Sequence, residues 1–119
     1  MTRPSDEGGE ALGPMIRSAE AVQAYTKGGK RRFLASPQQQ DAVARRLEIL
    51  GEAARRLPPA FRDAHPAVPW RSIIGLRDFL LHADDSVDLD KVWSAAGLAV
   101  NEVLPALRRL RDAPWPDGP

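Results

Sequence analysis

No cysteine occurs among the 119 residues, so neither a disulfide framework nor a thiolate metal site is available, and the fold must rest on packing. Aromatic residues make up only 6%, and a single tyrosine, Tyr25, is present. Any chemistry that needs a phenolic hydroxyl has one residue to use. No apolar run reaches the length of about 18 residues that a membrane-spanning helix requires. The opening MTRPSDEGGEALGP also lacks the apolar stretch of a secretory signal, and the expectation is a cytoplasmic protein. The two histidines, His65 and His82, form no metal-ligand spacing, and no glycine-rich phosphate loop is found. No cofactor is implied.

What is present suits one soluble globular domain. Apolar residues make up 43% and charged residues 28%, and a chain of this length builds a single core. The net charge of +1 hides an uneven distribution. Basic residues gather at Lys27, Lys30, Arg31 and Arg32, at Arg45/Arg46, at Arg55/Arg56 and at Arg108/Arg109/Arg111, while acids concentrate in 84–90. Arginine outnumbers lysine, and its planar fork suits phosphate. Each cluster taken alone also fits a solvated helix face.

Apolar spacing predicts helices and no β-hairpin. Residues 1–14, rich in Gly, Pro and charge, read as a disordered tail. From Met15 to Thr26, Met15, Ala19 and Val22 with Ile16 on the flank mark a short amphipathic helix that KGG ends. SPQQQD is a start signal, with Ser36 as cap and Pro37 at the first helical position. The helix that follows carries Val43, Leu47, Leu50, Ala54 and Leu57 as one stripe. PPAFRDAHPAVPW breaks it, with room for one turn around Phe61. Trp70 to about His82 is helical again through Ile73, Leu76, Phe79 and Leu80. Asp88 caps a last helix from Leu89 that carries Val92, Ala96, Ala99, Val103 and Leu107, and Pro105 should kink or break it. The expected fold is an all-α bundle of four to five helices over 15–112, with a loose tail over 113–119.

The stretch RDFLLHADDSVDLDKVW, 77–93, holds the most specific chemistry. On a helix, Asp78 and His82 stand one turn apart and about 40° from each other, whereas Arg77 stands about 140° from His82. A histidine at a helix C-terminus beside a carboxylate favours the imidazolium. Paired with a permanently charged arginine it suits phosphodiester chemistry, the histidine moving protons and the arginine stabilising phosphoryl oxygens. The same residues also fit a helix-end cation and a surface ion-pair partner with no catalytic role.

Four blocks in order, YTKG at 25–28, QDAVARRLEILGEAARRL at 40–57, PWRSIIGLRDFLLH at 69–82 and VDLDKVW at 87–93, resemble the HepT-like branch of the HEPN superfamily over about residues 15–110. That resemblance implies an all-helical homodimer and a metal-independent endoribonuclease toxin of a HepT/MntA-type toxin–antitoxin module, with RNA as substrate and an MntA-type nucleotidyltransferase as partner. Arg77, Asp78 and His82 occupy the positions of the family's motif, an arginine, a polar residue and a histidine four to six residues after the arginine. By the same resemblance the cleft is built by both protomers, so one helix need not supply the whole site.

Two departures stand out. Asp78 replaces the commoner asparagine. After the histidine the family's AMP-acceptor tyrosine is replaced by Asp84, and Asp85 takes the place of the next aromatic, so HADD offers no hydroxyl for adenylylation. The alternative is a non-catalytic nucleotide- or substrate-binding subunit that docks a nucleotidyltransferase. Outside the motif, Arg71, Arg45 and Arg46 are candidate RNA contacts. Trp70 is read as packing, Glu52 as a cleft residue or a solvated acid, and Gly51 as a point of close helix approach. His65 is read as incidental.

Overall fold

The computed structural model describes residues 9–81 and 88–113, with residues 77–81 described by their helical backbone. A 3-10 turn, Gly9–Ala11, leads into α1, Leu12–Thr26. The chain is therefore helical before Met15, and buried Leu12 extends the stripe of Met15, Ile16, Ala19 and Val22 by a turn. Residues 9–14, expected in the tail, belong to the helical body. Gly29 ends this section at φ 94°, a left-handed conformation in which any Cβ is strained.

Next comes a short helix that the apolar pattern does not announce, α2, Lys30–Leu34. Only Phe33 of its five residues is buried, too few for periodicity to register. Phe33 is fully buried, with its ring 5.3 Å from that of Trp93, a burial that stabilises by roughly 1.5–3 kcal/mol. The Gln40 amide closes α2 from outside by donating to the carbonyls of Phe33 at 3.0 Å and Leu34 at 3.1 Å. In α3, Pro37–Arg56, the Ser36 hydroxyl accepts from the Gln39 amide at 3.2 Å, and Pro37 stands in the first turn. All of Val43, Leu47, Leu50, Ala54 and Leu57 are buried, as is Gly51.

α4, Pro59–Ala64, is the expected turn around Phe61, which is buried. α5 spans Trp70–Leu81 and α6 spans Leu89–Leu98. Asp88 caps α6 by accepting from the amides of Asp90 at 3.1 Å and Lys91 at 3.2 Å. Of the kink or break expected at Pro105, the break does not occur. A π-helical segment, Ala99–Val103, runs directly into α7, Leu104–Asp112. Pro105 then falls in the first turn of α7. A wider π turn shifts the hydrogen-bond register ahead of the residue that cannot donate, so the rod stays helical. Val92, Ala96, Ala99, Val103 and Leu107 remain on its buried side.

Counting α6, the π segment and α7 as one rod, the described residues form six helical rods and no strand, more than the four to five expected because α2 was hidden. α3 lies between α1 and α5, and the last rod packs across α1 and α3. Neighbouring helices joined by short connections alternate in direction. The end of α1, all of α2, the start of α3, the end of α5 and the start of α6 therefore gather at one end of the bundle. An ion pair from Lys30 to Asp90 at 3.0 Å ties α2 to α6 there. Midway along α1, Glu20 accepts from Arg108 at 2.8 Å, joining α7 to α1.

Candidate active site at the end of helix α5

The start of α5 is anchored firmly. The Trp70 indole donates to the His65 carbonyl at 2.9 Å, and the Phe61 ring stands 4.7 Å from His65 and 6.1 Å from Trp70. Trp70 is buried, 7% exposed, as its reading as packing required. His65 is half-buried and is part of this corner rather than incidental. Its own signal in the sequence was weak, since a histidine between prolines reads as loop.

From this anchor α5 runs to Leu81 and carries Arg77 and Asp78 in its last two turns. The side chains of Arg77 and Asp78 lie outside the described residues, as do His82, Asp84 and Asp85 entirely. Helical register still sorts the first two. Arg77 follows Ile73 by four residues, about 40° around the axis, inside the arc that Trp70, Ile73 and Leu76 bury. Asp78 stands about 140° from Ile73, on the side of exposed Arg71 and Gly75. The two positions therefore stand about 100° apart around α5.

Beside α5 an open groove of ≈ 380 Å³ runs against α6, lined by Ser72, Gly75, Leu76, Lys91, Ser94, Ala95 and Leu98. Small side chains on both helices make it, and it follows α5 toward its C-terminal end. A second groove of ≈ 660 Å³ lies at the α4–α5 corner, between Arg62, Asp63, Trp70, Arg71 and Ile74. Arg71 is exposed there, about 9 Å along the axis from Arg77.

The remaining sequence candidates are scattered. Arg45 is exposed and reaches Glu48 at 3.5 Å. It stands about 160° from Leu47 on the outer side of α3. Arg46 is half-buried on the flank. Glu52, half-buried, accepts from Arg55 at 3.1 Å and Arg56 at 3.0 Å. Of the acidic run, Asp88 is committed to capping α6 and Asp90 to Lys30. Among the described residues no three His, Asp or Glu side chains gather as metal ligands, and no helix is long and apolar enough to cross a membrane.

The geometry thus puts the end of α5 and the start of α6 at one end of a helical bundle, and the comparison with known proteins covers both. Ribonuclease HepT-like is the family that matches, over residues 15–110. The chain is 41% identical over 76 residues to "Probable ribonuclease HepT" of Thermococcus cleftensis, covering 64% of this chain and 66% of that protein. It is 33% identical over 96 residues to "Putative RNase MJ1380" of Methanocaldococcus jannaschii, covering 80% and 84%. To "Putative RNase TTE0752" of Caldanaerobacter subterraneus it is 43% identical over 61 residues, covering 51% and 54%. The matched stretch is thus just under two thirds of the Thermococcus protein and about half of the Caldanaerobacter one. No solved structure matches. With the family matching from the first turns of α1 through α7, the chain belongs to the HepT-like ribonucleases.

Proposed function

We propose that this protein is a metal-independent endoribonuclease that cleaves RNA at a cleft shared by two copies of the chain, with Arg77, Asp78 and His82 as its site residues, and that it is the toxin of a HepT/MntA-type module. The observation that carries this reading is the family match over 15–110, which includes α5 and the whole of RDFLLH.

In the proposed reaction the ribose 2′-hydroxyl oxygen attacks the adjacent phosphorus and the bond from phosphorus to the 5′-oxygen breaks. The products are a 2′,3′-cyclic phosphate and a free 5′-hydroxyl. One proton leaves the 2′-hydroxyl and one is delivered to the departing 5′-oxygen, so the step needs no other reagent. His82 serves as the base or the acid, because an imidazole titrates near neutrality. Arg77 binds the non-bridging phosphoryl oxygens, where charge grows in the transition state. Asp78 orients the imidazole. The divergence of Arg77 and Asp78 around α5 favours a composite site, since two helices related by a two-fold axis can each supply part of it.

A second reading is favoured by Asp84 and Asp85 at the positions of the family's tyrosine and aromatic. Carboxylates next to a phosphate site weaken RNA binding. A non-catalytic subunit that docks a nucleotidyltransferase and helps hold its substrate tolerates them. An RNase assay in EDTA separates the readings: cyclic-phosphate ends generated by the pure protein support the nuclease, and no cleavage of any RNA at micromolar protein supports the binding subunit.

A further inference from the structure

Residues 21–40 contain four basic residues, Lys27, Lys30, Arg31 and Arg32, and no acid. The structure folds this stretch into the corner formed by the end of α1, the glycine turn and α2. Lys30 is held by Asp90. Lys27, Arg31 and Arg32 are exposed and have no ion pair among the described residues. In the other basic clusters an acid partners Arg45 at 3.5 Å, Arg55 at 3.1 Å, Arg56 at 3.0 Å, Arg108 at 2.8 Å and Arg111 at 2.9 Å, which leaves one arginine in each of two clusters, Arg46 and Arg109, without an ion pair among the described residues, against three cations here.

Two further features belong to the same corner. Among the described residues the exposed large hydrophobic side chains are Tyr25, 36% exposed, and Leu34, 40% exposed, and both flank the basic residues. The turn between them is also shaped around an arginine. A Cβ on Gly28 would stand 2.5 Å from the Arg32 Cδ, so Arg32 lies across the glycine, and the side chain there must be absent for it to do so.

We infer that this α1–α2 corner is an RNA-docking surface, in which Lys27, Arg31 and Arg32 contact successive phosphates and Tyr25 stacks on a base. Unpaired cations next to an exposed aromatic are what single-stranded RNA needs, because phosphates supply the charge and every base has a face to stack. An acidic protein surface would use the cations but has no need of Tyr25. The placement gives the corner a purpose. It sits at the end of the bundle where α5 finishes, held against the start of α6 by the Lys30–Asp90 pair and the Phe33–Trp93 contact. It therefore holds flanking nucleotides while the end of α5 addresses the scissile bond, and it offsets the acids of the motif. This inference rests on the proposed ribonuclease reading for its purpose, but RNA binding is measured without cleavage.

The test is fluorescence anisotropy with a 2′-O-methyl RNA of about 20 nucleotides, which has no free 2′-hydroxyl and cannot react, comparing wild type with Lys27→Ala/Arg31→Ala/Arg32→Ala and with Tyr25→Ala over a range of salt. Loss of three phosphate contacts should weaken binding at least about tenfold and reduce the slope of log K against log salt by about 2. Tyr25→Ala should weaken binding by about fivefold or more with the slope unchanged, as stacking predicts. If no substrate is cleaved, the nuclease reading fails while the binding result still decides the docking surface. Equal RNA affinity and salt slope in wild type and triple variant overturn the inference, and so does a triple variant that binds RNA normally but loses a nucleotidyltransferase partner.

Discussion

Ser36 and Asp88 perform one task at two helix starts, each using a side-chain oxygen to accept from backbone amides that the helix leaves unpaired. Their consequences differ because Ser36 begins the central helix α3 and Asp88 stands beside the motif. Ser36→Ala should lower stability by about 1 kcal/mol in urea unfolding, and Ser36→Asp should retain most of it. Asp88 holds the amides of Asp90 and Lys91, so Asp88→Ala should loosen the first turn of α6 directly after the motif. Arg77 is the residue whose substitution needs most care. Truncation to alanine removes its apolar stem as well as its charge. Lysine at that position keeps a cation and most of the stem while removing the bidentate fork.

At the scale of elements, caps and stripes were legible because each leaves several residues in a fixed pattern. Ser36-Pro37, Asp88 and the stripes of α3 and α6–α7 all stand where their spacing placed them. Two elements were not legible. α2 has one buried residue in five, so it is defined by tertiary contacts, with Phe33 on Trp93 and Gln40 closing its carbonyls. The π segment was hidden because a proline announces only a lost donor, and whether the helix breaks or widens depends on what the rod packs against. The corner that α2 creates is also the reason the basic run has a face, which a linear reading of KGGKRR does not convey. Gly29 is the point on which that corner turns. Gly29→Ala at φ 94° should cost about 1–2 kcal/mol in thermal or urea unfolding. Gly9→Ala, which meets nothing within 4 Å, serves as the neutral comparison.

At the scale of the whole molecule, the proposed cleft takes residues from two copies of the chain. Static light scattering at micromolar concentration should give about twice the 13.0 kDa chain mass, and a strictly monomeric particle would count against a composite cleft. Regulation belongs to this scale as well. Tyr25 is the single tyrosine and stands at the end of α1, so a co-expressed MntA-type nucleotidyltransferase should leave residues 77–93 without added AMP and inhibit by binding alone. Intact-mass measurement with peptide mapping checks this: an unmodified chain in a salt-sensitive complex is expected, and an AMP-sized increase within 77–93 is the contrary result. The family was readable from four sequence blocks, and so were the proposed site residues Arg77, Asp78 and His82, whose side chains lie outside the described residues.

The most direct measurement is cleavage of a defined RNA in the presence of EDTA by wild type, His82→Ala and Arg77→Lys, with product ends determined by mass spectrometry and folding checked by circular dichroism. Wild type should leave 2′,3′-cyclic phosphate and 5′-hydroxyl ends. His82→Ala should reduce the rate by about 10²–10⁴-fold, the range for removing a general acid or base. Arg77→Lys should reduce it while helicity and melting stay close to wild type. Cleavage that persists at the wild-type rate in His82→Ala, or a wild-type protein that leaves every RNA intact, would contradict the account.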